Sequence, residues 1–254
     1  MQRRGLYKYY TRVCKMRDFT HNFSEDLEVV LDAIDARENF AMPRYADGEY
    51  NVIHGLDLGA AVLDGWKVTS EDKQFSEKLD STLDHTEPNY LYGISCRCCD
   101  PPKLEYFQQR LSHQSARITF SNLFVNSNHD RFCQWVSTMG RPVVLIANSK
   151  CFDAEYPFET LERSTVSDDV IAWYQEDPEL RHWEWGELAS KYNNELFLIS
   201  AGPLSEIIVH ELYTKNPNNT YLDVGSAIDP WTHKTFTRGF QNPNSPYRNT
   251  TCHF

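Results

Sequence analysis

The sequence predicts an α/β fold, with a mostly parallel sheet covered by helices on both faces. Short apolar runs alternate along the chain with stretches whose apolar residues recur at helical spacing, the pattern of strands joined by helices. The run at 143–147, Val-Val-Leu-Ile-Ala, is continuously apolar, as expected for a strand buried on both faces. Further strands are expected at 89–95, 117–120, 196–200 and 220–224.

Helices are expected between these strands, because apolar residues there recur every three or four positions. The first helix begins near Ser24, whose hydroxyl can cap it. The remaining expected helices cover 75–83, 107–111, 132–139, 180–191 and 203–213. Residues 151–170 are polar and contain Pro157, so we expect them to be irregular.

Composition bounds the class of protein. The 254 residues suit a single domain, expected at 21–233, with a basic appendage at 1–20 and a tail or flap at 234–254. The net charge of −11 argues against a nucleic-acid binder held by phosphate contacts. No apolar run reaches the roughly 18 residues of a membrane helix, and the N-terminus lacks the apolar core of a signal peptide. We therefore expect a cytoplasmic protein without an integral membrane segment.

The stretch Arg44-Tyr45-Ala46-Asp47-Gly48-Glu49 places one guanidinium, two carboxylates and a glycine within six positions. It follows an apolar run, so we expect it to emerge from the core as a strand. Residues two apart in a strand point the same way, which would project Asp47 and Glu49 together. Carboxylate oxygens suit Mg²⁺ or Mn²⁺, and Arg44 is expected to bind a phosphate or to orient the Asp47 carboxylate.

These six residues resemble the Arg-aromatic-Gly-Asp-Gly-Glu signature of the GT-D glycosyltransferases, with Ala46 where that family has glycine. The segments 198–204 and 221–225 resemble the closing strand-helix-strand unit of the same family. The resemblance implies a Rossmann-like fold and an Asp-x-Glu metal motif at Asp47 and Glu49. It further implies a metal-dependent glycosyltransferase. This enzyme would move a sugar from a nucleotide-diphosphate sugar, expected to be a UDP-sugar, to a hydroxyl group of a glycan or glycoprotein.

Ligands of parallel α/β sheets bind beyond the carboxyl ends of the strands. This rule identifies the remaining candidate residues for donor binding and catalysis. Gly202 and the helix from Pro203 offer backbone N–H groups to phosphate. The residues expected to bind the donor are Arg44, Tyr45, Gly48, Gly93, Ser95, Asn148, Gly202 and Pro203. The candidate bases for the acceptor hydroxyl are Asp223, Asp229 and His233, and the sequence does not choose among them. We expect Asp223 to share one cleft with Asp47 and Glu49.

Two other functions stay open. Residues 222–227, Leu-Asp-Val-Gly-Ser-Ala, resemble the glycine-rich loop of S-adenosylmethionine-dependent methyltransferases. That loop belongs near the start of its domain and usually carries a second glycine, where this chain has Ala227. The other alternative is a non-catalytic sugar-binding or scaffold protein.

Three cysteines, Cys96, Cys98 and Cys99, lie close together in the sequence. Zinc sites usually combine two paired Cys or Cys/His knuckles, and no second knuckle is evident here. We therefore expect free thiols, and neither a metal site nor a disulfide.

Overall fold

The computed structural model describes residues 15–56, 72–112 and 117–254. Within these residues the strands are β1 (Ala41–Met42), β2 (Arg44–Tyr45), β3 (Tyr92–Ile94), β4 (Ile118–Phe120), β5 (Val143–Asn148), β6 (Thr160–Val166), β7 (Leu196–Ser200) and β8 (Thr220–Asp223). The α-helices are α1 (Phe23–Asp35), α2 (Asp47–Ile53), α3 (Lys73–Ser81), α4 (Pro101–Arg110), α5 (His129–Thr138), α6 (Val170–Glu176), α7 (Pro178–Lys191), α8 (Ser205–Lys215) and α9 (Asp229–Thr232). None of these helices has both the length and the apolar character needed to cross a bilayer. Most of the basic N-terminal appendage lies outside the described residues.

Every pair of strands in the described chain is parallel, which confirms the predicted sheet. Five strands have the order β1-β8-β7-β5-β6, and three have the order β2-β3-β4. Only Pro43 separates β1 from β2, and Ala41 pairs with Tyr221 on one side and with Tyr90 on the other. The two sheets therefore continue into each other, and the carboxyl ends of their strands face the same edge.

Helices cover both faces of the sheet, because successive residues of a strand point to opposite sides. In β7, Phe197 and Ile199 pack into an apolar cluster with residues of α3, α7 and α8. Leu196 and Leu198 pack into a second cluster with residues of α1 and α5. The α/β architecture expected from the sequence is thus confirmed.

The stretch 151–170 and the cap of the first helix differ from the sequence predictions. The polar stretch 151–170, expected to be irregular, contains β6, which lies at the edge of the sheet. An edge strand is half-exposed and carries polar side chains, so it lacks the apolar run that marks a central strand. The cap of α1 is Asn22 rather than Ser24, because the Asn22 Oδ1 accepts the Glu25 N–H at 3.2 Å.

The C-terminal segment, residues 234–254, packs against the rest of the chain at several points. Phe240, Gln241 and Cys252 are buried, and the Ser127 N–H donates to the Thr250 carbonyl at 3.0 Å. Buried side chains therefore anchor this segment, which we predicted as a tail or flap, to the rest of the chain.

Candidate active site

The carboxyl ends of the strands open into a cleft of about 1130 Å³. Predicted site residues that line the cleft are Arg44, Asp47, Gly48, Glu49, Asn148, Gly202, Asp223, Asp229 and His233. Parallel topology explains why residues so far apart in sequence meet, because it brings the carboxyl ends of all the strands to one edge. The prediction that Asp223 shares a cleft with Asp47 and Glu49 is confirmed.

The guanidinium of Arg44 binds the carboxylate of Asp223. Its Nε donates to Oδ2 at 3.0 Å, its Nη2 donates to Oδ1 at 3.3 Å, and its Nη1 donates to the Ser121 carbonyl oxygen at 2.7 Å. Only 12% of the Arg44 side chain and 3% of the Asp223 side chain are exposed. A two-point contact of this kind fixes the orientation of both groups. The expectation that Arg44 orients Asp47 is corrected, since its carboxylate partner is Asp223.

Two glycines leave room for the Arg44 side chain. A Cβ on Gly225 would lie 2.0 Å from the Arg44 Nη2, and the φ of Gly225 is +44°, which L side chains rarely adopt. A Cβ on Gly93 would lie 3.0 Å from the Arg44 Cγ and 3.1 Å from the Phe120 carbonyl oxygen. Gly93, which we expected to bind the donor, instead leaves the space that the Arg44 side chain needs. Gly225 belongs to the loop whose sequence resembles that of methyltransferases, and the Arg44 side chain fills the space beside this glycine.

Asp47 and Glu49 lie in the first turn of α2, so the prediction that they project from a strand was wrong. Residues two apart in a helix do not face each other. The Glu49 side chain turns back instead, and its Oε2 accepts the Ala46 N–H at 2.7 Å, which caps the start of the helix. Asp47 is exposed, and both carboxylates line the cleft although they do not share one face of an element.

Glu206 is a cleft residue that the sequence analysis missed. It lies in the first turn of α8, it is 1% exposed, and its Oε2 has no hydrogen-bond partner among the described residues. Burial raises the pKa of Glu206, and the charges of Glu49 and Asp223 raise it further. Its position shortly after Pro203, at the start of the helix that follows β7, is the signal that could have identified it.

The Glu49 carboxyl shows the same electrostatic effect. Burial raises the pKa of Glu49 from 4.5 to about 7; the Ala46 N–H opposes this increase, and the nearby charges of Asp47 and Asp223 add to it. Carboxyl groups outnumber cationic side chains in the cleft lining: the acidic residues are Asp47, Glu49, Asp168, Glu206, Asp223 and Asp229, and the basic residues are Arg44, Lys150 and Arg238. A divalent cation would relieve this excess of negative charge.

These carboxyl groups fit Mg²⁺ or Mn²⁺, both of which prefer hard oxygen ligands. The Oε2 of Glu206, buried and without a hydrogen-bond partner within the described ranges, is an oxygen of the type such an ion binds. In the described part of the chain, no three carboxylates bring one oxygen each within 4.8 Å of one another. An ion here would therefore take one or two protein oxygens, from Asp47, Glu49 or Glu206, and complete its shell with water and phosphate, as Mg²⁺ commonly does.

Three residues predicted to bind the donor lie in the protein interior instead. Tyr45 is fully buried, and its hydroxyl forms a 2.7 Å hydrogen bond with the Thr82 hydroxyl. Ser95 and Pro203 are also buried, and none of the three belongs to the cleft lining. Neighbouring residues of a strand point to opposite faces, so with Arg44 directed to the cleft, Tyr45 is directed into the core.

Asn148 and Gly202 line the cleft from the ends of β5 and β7. The Asn148 side-chain amide donates to the Asp168 carboxylate. Gly202 has a φ of +54° and opens the 3-10 turn Gly202–Leu204, which leads directly into α8. The start of α8 therefore lies at the cleft, and the positive end of a helix dipole favours an anion there.

Asp229 and His233 line the part of the cleft that borders the C-terminal segment. The Thr237 hydroxyl donates to the Asp229 Oδ2, and the His233 Nε2 lies 4.0 Å from the Asp229 Oδ1, which is beyond hydrogen-bond distance. By contrast, both oxygens of Asp223 accept hydrogen bonds from Arg44, and Oδ1 also accepts the Gly225 N–H at 2.9 Å. Asp223 is therefore held in place by three hydrogen bonds.

The fold brings a fourth thiol to the three neighbouring cysteines. The Sγ atoms of Cys96, Cys98, Cys99 and Cys252 all lie within 4.8 Å of one another. We expected no metal site because no second group of ligands is evident in the sequence, and this premise was wrong, since Cys252 supplies a further ligand. Cys252 belongs to the C-terminal segment, which no local spacing rule connects to residues 96–99.

A parallel sheet with helices on both faces, and a carboxylate-rich cleft at the carboxyl ends of its strands, defines a Rossmann-like α/β protein. No protein-family model and no curated protein sequence matches the chain. Among solved structures it is similar to one described as "The highly conserved domain of unknown function 1792 has a distinct glycosyltransferase fold", with a TM-score of 0.53 and 14% identity over 88% of this chain and 86% of that chain. The selenomethionine-substituted structure of that domain gives the same values. The similarity shows that this chain has a fold of that glycosyltransferase type.

Proposed function

We propose that the protein is a metal-dependent glycosyltransferase. It would transfer a sugar from a nucleotide-diphosphate sugar, with a UDP-sugar as the expected donor, to a hydroxyl group of a glycan or glycoprotein acceptor. One observation carries the proposal: Asp47, Glu49, Glu206 and Asp223 gather with Arg44 in the cleft at the carboxyl ends of the strands. The glycosyltransferase type of the fold supports the class of reaction.

Departure of the nucleoside diphosphate requires its growing negative charge to be stabilised. A bound divalent ion would supply a Lewis acid for this charge, and one or two oxygens from Asp47, Glu49 or Glu206 would hold it. Gly202 and the start of α8 would donate backbone N–H groups to the phosphates. Arg44 lines the same cleft, and its contact with Asp223 would keep the guanidinium in a fixed orientation toward the donor.

The acceptor hydroxyl must lose a proton during transfer. Asp229 and His233 are our candidates for the base, because both line the cleft and a base must lie near the proton that it removes. Asp223 is assigned a positioning role instead, since its two oxygens are engaged by Arg44 and the Gly225 N–H.

Ligand-dependent thermal unfolding, followed by a hydrolysis screen of nucleotide sugars with Mn²⁺, tests the proposal. We expect UDP plus Mn²⁺ to raise the melting temperature, because a ligand that binds only the native state stabilises it. Asp47→Asn and Glu206→Gln should weaken the Mn²⁺-dependent part of this shift. Glu77→Gln, at a side chain 67% exposed on α3 and absent from the cleft lining, is the matched control.

Each of the other outcomes has a definite meaning. A shift with S-adenosylmethionine and none with UDP would replace the proposal with a methyltransferase. A shift with UDP, but no hydrolysis or transfer with any nucleotide sugar, would indicate a non-catalytic sugar-binding protein.

A further inference from the structure

Four thiols converge between the turn that follows β3 and the C-terminal segment. The Sγ atoms of Cys96 and Cys98 are 3.2 Å apart, those of Cys98 and Cys99 are 3.9 Å apart, and all four Sγ atoms, including that of Cys252, lie within 4.8 Å of one another. All four are free thiols. Cys96 and Cys252 are buried, whereas Cys98 and Cys99 are exposed, so the group sits at the protein surface with one side closed.

These separations match a single tetrahedral ion. A Zn–S bond of about 2.3 Å places two sulfurs of a tetrahedral site about 3.8 Å apart. An iron–sulfur cluster is also held by four thiolates, but its own iron and sulfide atoms require wider spacing than one ion does. Four thiolates without an oxygen ligand favour Zn²⁺ over Mg²⁺ or Mn²⁺, so this group differs in chemistry from the carboxylates of the cleft.

Amide groups point at the same sulfurs. The Asn122 Nδ2 donates to the Cys99 Sγ at 3.4 Å and lies 3.8 Å from the Cys252 Sγ, and the Asn126 Nδ2 donates to the Cys252 Sγ at 3.5 Å. Donors of this kind orient metal ligands and stabilise the charge of thiolates. They form an independent observation, because both amides come from the loop after β4 and not from either cysteine-bearing segment.

Backbone hydrogen bonds hold the two cysteine-bearing segments in register. The Arg97 N–H donates to the His253 carbonyl at 3.0 Å, which joins the residues adjacent to Cys96 and Cys252. The Asp100 N–H donates to the Cys96 carbonyl at 3.0 Å, which folds residues 96–100 into a tight turn. These main-chain hydrogen bonds therefore help to fix the positions of the four thiols.

We propose that Cys96, Cys98, Cys99 and Cys252 bind one structural Zn²⁺ ion. With four protein ligands the coordination shell is complete, as in other structural zinc sites, and no position remains for catalysis. The ion would tie the C-terminal segment to the turn between β3 and α4. Because Cys98, Cys99 and Thr250 also line the cleft, this link would fix one wall of it, whatever reaction the cleft performs.

Elemental analysis of the purified full-length protein, together with thiol counting under denaturing conditions, tests this site. We expect about one zinc per chain, and we expect Cys252→Ser to lose most of it. Cys98→Ser, at an exposed position, is the second variant in case the buried change prevents folding. Cys133→Ser, at a cysteine outside the group, is the matched control and should keep its zinc. Asn122→Ala should weaken zinc affinity about tenfold, as loss of an outer-sphere partner does.

Refolding with Co²⁺ gives a readout that does not depend on activity. We expect the absorption spectrum of a tetrahedral four-thiolate cobalt site in the wild type and in Cys133→Ser, and its loss in Cys98→Ser. A wild-type protein without zinc that also fails to take up Co²⁺ would overturn the proposal. So would a disulfide among the four thiols, the presence of iron with sulfide, or unchanged zinc content in folded Cys98→Ser and Cys252→Ser.

Discussion

Arg44 and Asp223, which lie at the ends of two different strands, form a two-point contact that is almost withdrawn from water. The contact connects the segment that enters α2 with the segment that leaves β8. Glu49 and Glu206 lie close enough to Asp223 for its charge to raise the pKa of both. The Arg44–Asp223 pair therefore belongs to a larger acidic site. Substituting either residue should change both the stability of the protein and the pKa values of the neighbouring carboxyl groups.

Asp223→Asn should change the protonation of its neighbour. Removing the Asp223 charge removes one cause of the raised pKa of Glu49, so we expect that pKa to fall below about 7. Burial, the main cause, remains, so the fall should be partial. Loss of one member of a buried ion pair costs about 3–5 kcal/mol, and chemical denaturation should show a loss of that order. Carboxyl ¹³C shifts followed through a pH titration measure the Glu49 pKa; an unchanged value would contradict the electrostatic coupling.

Gly225→Ala should be more destabilising than an ordinary glycine substitution. The new Cβ would lie 2.0 Å from the Arg44 Nη2, at a φ of +44°. Backbone strain alone costs about 1–3 kcal/mol, and the contact with the guanidinium should add to that. Two controls separate these causes. Gly55→Ala has a φ of +61° in open space, and Gly140→Ala has open space and no positive φ.

Urea denaturation should therefore rank the loss of stability as Gly225→Ala first, Gly55→Ala second and Gly140→Ala last. Adding Arg44→Ala to Gly225→Ala removes the close contact. The two changes should then be less costly together than the sum of their separate effects. Additive effects would show that the guanidinium does not occupy the space beside Gly225.

Glu49→Gln should alter the pH dependence of stability in the metal-free protein. The pKa of Glu49 rises from 4.5 to about 7 on folding, so the native state binds the proton more tightly than the unfolded chain does. Stability from this group is then complete below pH 4.5 and is lost as the pH rises to about 7. The glutamine stays neutral and can still accept the Ala46 N–H. We expect Glu49→Gln to reduce this loss and to be more stable than the wild type above pH 7, by denaturation at several pH values. A steeper loss of stability in the variant would disprove the assignment.

Tyr45→Phe should affect stability and leave donor binding unchanged. The change removes the hydrogen bond between the Tyr45 and Thr82 hydroxyls in the core, worth about 0.5–1.5 kcal/mol. The Thr82 hydroxyl keeps its bond to the Leu79 carbonyl, so this buried donor stays paired. Calorimetry with UDP and Mn²⁺ should give the same affinity for variant and wild type. A large loss of affinity would show that Tyr45 contributes to donor binding.

Much of the architecture follows from local patterns. The apolar run at 143–147 and the runs at 196–200 and 220–224 became β5, β7 and β8, because continuous apolar character is what a strand buried on both faces needs. The rule that ligands bind at the carboxyl ends of parallel strands then predicts one cleft for Asp47, Glu49 and Asp223, and all three line it. The strand β6 was not predicted, because it lies at the edge of the sheet, where a half-exposed strand can carry polar residues.

The sequence by itself determined the class of fold, the positions of its main strands along the chain and the edge of the sheet where polar residues collect, because these depend on periodicity and on chain direction. Only the tertiary structure decided which groups meet. Arg44 has Asp223 as its carboxylate partner instead of Asp47, and Cys252 joins Cys96. Glu206 carries a buried oxygen without a hydrogen-bond partner in the part of the chain that the structure describes. These contacts join segments far apart in the sequence, and their distances depend on the packing of the intervening helices. No local spacing records such distances, so the chemistry of both sites emerges only when the chain is folded.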